Sequence, residues 1–98
     1  MKKDIEKLAA QCESVSSLLK TIAHPQRLKI LCCLAEGERT VSQLEQFSGA
    51  SQSSVSQYLA KMKAEGLLQA RREGQQIYYK IDHPDLLKLM SAMQKIFC

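Results

Sequence analysis

The stretch Ala50–Leu68, ASQSSVSQYLAKMKAEGLL, constrains the chain more than any other. Small polar residues open it, and apolar residues then recur at helical spacing. Val55, Leu59 and Met62 stand at i, i+4 and i+7, which is one face of a helix. Ser51 is suited to accept from the unpaired amides of the first turn, and Gly66 after Glu65 marks the helix end. The opposite face carries Gln52, Ser53, Ser56, Gln57, Lys61 and Lys63, which are hydrogen-bonding or cationic but not acidic. A rod buried on one side and rich in donors and acceptors on the other fits a DNA major groove. Taken alone, the pattern also describes an ordinary surface helix with a solvated face, so the neighbouring segments have to decide.

Upstream, Asp4 to Thr21 reads as a helix. Ile5, Leu8, Cys12, Val15, Leu19 and Ile22 are spaced 3-4-3-4-3, a narrow heptad-type stripe that packs against a partner helix. The partner is either the chain's own core or a second copy. A chain of 98 residues forms one domain with a thin core, which favours the second copy. Ala23-His24-Pro25 breaks this helix and starts another, with proline in its first turn. Leu28, Ile30, Leu31, Cys32 and Leu34 bury most of the second helix, which holds both Cys32 and Cys33, and Glu36-Gly37-Glu38 ends it. Thr40-Val41 allows a short extended piece. Ser42 with Glu45 three residues on reads as a capping box. The short third helix, Gln43 to Phe47, is expected to turn Leu44 and Phe47 inward, and Gly49 punctuates it. A short helix, a tight connection and the Ser51 helix make a helix-turn-helix.

Two runs of strand type follow Gly66. Leu67–Arg72 and Gln76–Ile81 flank Glu73-Gly74, and Ile77, Tyr78, Tyr79 and Ile81 favour strands. A hairpin behind a helix-turn-helix is a wing, and its basic tip, Arg71 to Gln75, suits a phosphate backbone or a minor groove. Asp82-His83-Pro84 then starts a last helix with Leu86, Leu87, Met90, Met93, Ile96 and Phe97 on its apolar face, ending at Cys98.

Composition agrees without deciding. The formal charge of +4 and pI near 9.0 are consistent with a nucleic-acid partner. No segment approaches the roughly 18 apolar residues a membrane span needs. Met1–Ile5 is polar, with no signal-peptide run behind it, so no membrane partner and a cytoplasmic location are expected. Four cysteines in such a compartment do not make a disulfide framework, which leaves burial, metal binding or redox sensing.

The order helix, helix, short helix, reading helix, hairpin, helix resembles the ArsR/SmtB-type winged helix-turn-helix repressors. The resemblance rests on LLKTIAHPQRLKIL (Leu18–Leu31), SQSSVSQYLAKMKAEGLL (Ser51–Leu68) and RREGQQIYYKI (Arg71–Ile81). It implies a mainly α fold with a β-hairpin wing in a single domain spanning 1–98. The first and last helices, 1–22 and 84–98, would pair in a homodimer. The helix-turn-helix would occupy 42–65 and the wing 67–81, with a double-stranded DNA operator as partner. Through it Gln52, Ser54, Ser56, Gln57 and Tyr58 become candidates for base and phosphate contacts, since glutamine can pair with adenine and serine reads either base or phosphate. Ser53 and Lys61 join them from the helix, and Arg71, Arg72 and Gln75 from the wing.

The family divides by what releases it from DNA. A metal-sensing CxC pair in the third helix is missing, because that stretch is Val41-Ser42-Gln43-Leu44. The last helix offers Asp85 without a histidine beyond His83, so that metal site fails too, and neither a metal nor a cofactor is expected. LKILCCLAEGE and KIFC resemble instead the dithiol branch, the BigR/HlyU-like regulators, which answer reactive sulfur species or oxidants. That resemblance assigns sensing to Cys32 and Cys98. Joining two thiols needs Cα atoms within about 7 Å, a limit that a chain of several sulfur atoms relaxes. Cys12, on the first-helix stripe, reads as packing. Cys33 reads as packing or as a competing thiol, and three thiolates together would suit a soft metal or metalloid instead. Action as an anti-repressor, displacing another DNA-bound protein, is a further alternative. An enzyme is not expected. His24 and His83 stand beside prolines at helix starts, and no Ser/His/Asp set, paired carboxylates or phosphate loop is visible. A protein-interaction module is the better competitor, and the salt dependence of DNA binding separates the two.

Overall fold

A computed structural model describes residues 1–97 of the chain; the expected helix end at Cys98, and the Cys32–Cys98 pair, lie outside the described residues. Five helices and three strands follow one another: α1 (Lys2–Ile22), α2 (Pro25–Leu34), β1 (Arg39–Thr40), α3 (Val41–Ser48), α4 (Gln52–Ala64), β2 (Leu68–Glu73), β3 (Gln76–Ile81) and α5 (Pro84–Phe97). The strands form one antiparallel sheet in the order β1-β3-β2. The wing is therefore a hairpin with a third strand on its edge, Arg39 opposite Tyr79 and Thr40 opposite Tyr78. The extended piece expected at Thr40-Val41 sits one residue earlier, and Val41 already belongs to α3.

Local chemistry explains the helix boundaries. Pro25 opens α2 behind His24, whose Nδ1 accepts from the Arg27 amide at 3.5 Å. The capping box at α3 is Thr40 with Gln43, not Ser42 with Glu45. Thr40 Oγ1 accepts from the Gln43 amide at 3.3 Å, and Gln43 Oε1 accepts from the Thr40 amide at 2.9 Å. Pairing of Thr40 with β3 ends the strand at that residue, so α3 begins two positions before Gln43. Ser42 falls inside the helix, one residue past its start. Gly49 closes α3 in the left-handed region at φ +74°, where a side chain is disfavoured, and the buried Ser48 hydroxyl accepts from the Ala50 amide at 3.2 Å. These two contacts turn the chain from α3 into α4 within three residues. Ser51 caps α4 by accepting from the Ser54 amide at 3.2 Å.

The core gathers Ile30, Leu31 and Leu34 of α2, Leu44 of α3, Val55, Leu59 and Met62 of α4, and Leu86 and Met90 of α5. Leu67, Leu68 and Ile81 close it at the base of the wing. Phe47, expected inward, is exposed. It follows Leu44 by three positions on a helix of 8 residues, and only Leu44 and Ser48 of that helix are buried. The i, i+4 pair faces the core and Phe47 falls beside it.

α1 contributes little to this core. Of its 21 residues only Thr21 and Ile22 are buried, while Ile5 (59%), Leu8 (64%), Val15 (40%) and Leu19 (45%) stand exposed. On α5, Ile96 and Phe97 of the apolar face are more exposed still. The radius of gyration is 14.7 Å, against about 13 Å for a compact chain of roughly this length. The accessible surface is 6832 Å², against about 5,600 Å² expected for a monomer of this mass. Most of a helix's stability in a protein comes from packing its apolar face rather than from propensity, so α1 has to gain its stability by covering its apolar stripe.

Candidate nucleic-acid interface

α4 divides cleanly. Val55, Leu59 and Met62 are completely buried, and Gln52, Ser53, Ser56, Gln57 and Lys61 are exposed. The exposed set follows i, i+4 rows, so its side chains line a single strip one helix wide. The strip carries amide and hydroxyl groups along its length with a lysine toward its C-terminal end, and no carboxylate lies between Gln52 and Ala64. Lys63 is exposed as well, toward the wing, where it lines a surface hollow with Ala70, Arg71, Arg72 and Ile77.

Two of the expected helix contacts occupy other surroundings. Ser54 is half-buried and belongs to the cap, its hydroxyl accepting from Ser51 Oγ at 3.1 Å. Tyr58 is half-buried against the core. Its ring lies 5.2 Å from the His24 ring, and the Arg27 guanidinium sits over it at 5.4 Å from the centroid. Tyr58 thus ties α4 to the start of α2 and holds the strip at a fixed angle to the body. Arg27 was missed in the sequence. Its separation of thirty-one positions from Tyr58 leaves no periodic signal, and only the fold brings a cation beside the exposed strip.

On the wing, β2 and β3 pair from Leu68 opposite Ile81 to Glu73 opposite Gln76, leaving a two-residue loop, Gly74-Gln75. Gly74 has φ +64°, and a positive φ at the first loop residue is what a type II′ hairpin turn requires. Gln75 is at the tip and Arg72 stands close behind it, both exposed. Arg71 is differently placed. Its Nε donates to Glu38 Oε2 at 2.9 Å and Oε1 at 3.1 Å, its Nη1 donates to Glu73 Oε2 at 2.7 Å, and its guanidinium lies 4.5 Å from the Tyr78 ring centroid. The hydrogen bond from Arg71 holds the Glu38 carboxyl below the usual carboxylate range, helped by the charges of Arg71 and Lys80. Bonds to Glu38 and Glu73 in turn raise the Arg71 guanidinium above its ordinary value.

The described thiols lie on two helices. Cys12 is exposed on α1, its Sγ donating to the Leu8 carbonyl at 3.4 Å. Cys32 and Cys33 are half-buried on α2. Gln94 Nε2 of α5 donates to the Cys32 carbonyl at 3.2 Å, which joins the last turn of α5 to the helix that carries Cys32. Among the described residues no three His, Cys, Asp or Glu side chains gather in a way that would hold a metal ion. No described helix is long and apolar enough to cross a membrane.

Known proteins share this arrangement. The family described as "Bacterial regulatory protein, arsR family" matches residues 24–70, the span from the His24 cap to the first half of the wing. The biofilm growth-associated repressor of Xylella fastidiosa is 39% identical over 97 residues, covering 99% of this chain and 82% of that protein. The crystal structure of the transcriptional repressor BigR from the same organism superposes with a TM-score of 0.85 at 38% identity, over 100% of this chain and 97% of that one. The homodimeric winged helix-turn-helix DNA-binding domain of Mb0332 from Mycobacterium bovis superposes with a TM-score of 0.74 at 36% identity, over 92% and 83%. Helix order, strand-edged wing and sequence agree: the chain belongs to the ArsR family of winged helix-turn-helix transcriptional regulators.

Proposed function

We propose that the chain is a homodimeric repressor that recognises a specific DNA operator, with α4 of each copy in the major groove of one half-site. The carrying observation is α4 itself, an exposed strip of Gln52, Ser53, Ser56, Gln57 and Lys61 backed by three fully buried apolar residues. Gln52 and Gln57 supply paired donor and acceptor atoms suited to adenine, and the serines and Lys61 reach bases or phosphates. Arg72 and Gln75 at the wing add backbone or minor-groove contacts. Two such helices related by a twofold axis read half-sites about 10 base pairs apart, or multiples of that. Titration of a duplex from the gene's own upstream region tests this. Affinity is expected to fall by roughly 10³-fold or more between 50 and 200 mM salt, because releasing condensed counterions into more concentrated salt gains less entropy. Failure to bind any such duplex at the lower salt overturns the reading.

The release signal is proposed to be thiol oxidation at Cys32 and Cys98. With peroxide as oxidant, one thiolate forms a sulfenic acid, the second displaces water from it, and two hydrogens leave the pair as the disulfide forms. The Gln94 bond to the Cys32 carbonyl supports coupling, because it links α2 to the last turn of α5, four positions before Cys98 in the chain. Peroxide or polysulfide treatment is expected to lower operator affinity in the native chain and to leave Cys32→Ser and Cys98→Ser unchanged. If soft metal ions release the duplex and oxidants do not, a thiolate metal site is the trigger instead.

A further inference from the structure

Arg71 stands at the meeting point of three parts of the fold. Glu38 belongs to the connection between α2 and β1, Tyr78 is its partner across the hairpin, and Glu73 is on its own strand at the loop. Tyr78 also pairs with Thr40, and Thr40 is the residue that caps α3. One guanidinium is thereby fastened to the wing and to the entry of the helix-turn-helix. Its in-plane Nε and Nη1 donors are occupied by two carboxylates, and one flat face lies against Tyr78. Two carboxylates offset Arg71 and Lys80 here, so the corner carries little net charge to attract a phosphate. Arg72, the next residue, points to the other face of the strand. It makes no ion pair among the described residues, and although both arginines line the hollow beside Lys63 of α4, only Arg71 is held there by carboxylates.

From this geometry we infer that Arg71 is a positioning residue, fixing the wing's angle to the helix-turn-helix through Glu38, and that the wing's cationic DNA contact is Arg72. The inference rests on the DNA-binding reading above. An arginine is needed for the task, because its planar fork engages Glu38 while its face stacks on Tyr78; a lysine keeps the charge and loses both.

The test compares operator affinity and its salt dependence for the full-length native chain, Glu38→Gln, Arg71→Lys, their double variant and Arg72→Gln. Removing a surface carboxylate ordinarily strengthens DNA binding, and so does freeing an arginine. A positioning role predicts the opposite. Glu38→Gln and Arg71→Lys each weaken binding by roughly 3- to 10-fold, and the double variant is no weaker than the worse single one, the non-additivity of residues acting as one unit. Neither single variant changes the slope of log affinity against log salt. Arg72→Gln makes that slope shallower by about 1.8, two phosphate contacts per dimer. Tighter binding by Glu38→Gln, with Arg71→Lys close to native, would make Arg71 a phosphate contact and overturn the inference. Native-like affinity in both variants would overturn it as well. A native chain that binds no duplex removes the DNA-binding reading itself, an outcome recorded before any variant is compared.

Discussion

Leu8→Glu is expected to turn the protein from dimer to monomer at micromolar concentration and to remove specific operator binding. Leu8 is 64% exposed in the middle of the α1 stripe with Ile5, Val15 and Leu19, and Ile96 and Phe97 of α5 are as open. Fully burying one leucine contributes about 1.5–3 kcal/mol. In a twofold dimer each substitution counts twice, so the loss is about 3–6 kcal/mol before the cost of a desolvated carboxylate is added. At 1.4 kcal/mol per tenfold, that weakens the dimer by about 10²- to 10⁴-fold. A monomer then engages one half-site without the second tethered beside it, and forfeits a further factor of about 10²–10⁴ in avidity. Sedimentation velocity and operator titration on the same samples decide the matter. A variant that stays dimeric and binds its duplex as the native chain does would place the contact elsewhere and leave the α1 stripe without a partner.

The heptad spacing that raises this expectation was plain in the sequence because it is local. The same holds for α4, where three buried positions at helical spacing and a serine cap announce both faces at once. What could not be read from the chain depends on residues far apart. Phe47 follows Leu44 closely enough to look like a core pair, and its exposure is settled by how α3 lies on α2 and α4. Ser42 and Glu45 satisfy the capping-box pattern as well as Thr40 and Gln43 do. The pairing of Thr40 with Tyr78 decides between them, because it fixes where the strand stops. The bond from Arg71 to Glu38, thirty-three positions away, leaves no signal in the sequence. The seating of Tyr58 against His24 and Arg27 leaves none either, because α2 brings those residues to its ring. Periodicity and capping chemistry thus reported the elements and the exposed strip. The division between freely exposed positions and those tied into tertiary contacts required the folded structure.

That division gives α4 its sharpest test, because one helix carries both roles in alternate positions. Leu59→Ala is expected to destabilise the fold by about 2–5 kcal/mol, since Leu59 is completely buried in the core cluster and truncation leaves a cavity. A domain of this size holds only about 5–15 kcal/mol in all. At about 4–8 °C per kcal/mol, the midpoint should fall by more than about 10 °C at fixed protein concentration, and operator binding should fail on warming. Gln57→Ala, two positions earlier and exposed, should leave the midpoint within about 2 °C, because surface changes away from caps and networks cost little. Its operator affinity should nonetheless fall by about 5- to 150-fold per bidentate base contact removed, from about 1–3 kcal/mol each. Thermal unfolding and duplex titration at 50 mM salt, run on both variants, check the pair. Should Gln57→Ala bind its operator as tightly as the native chain, the strip would be a solvated surface and the reading helix would have to be sought elsewhere; should it unfold early, Gln57 would be a structural residue and not a free contact.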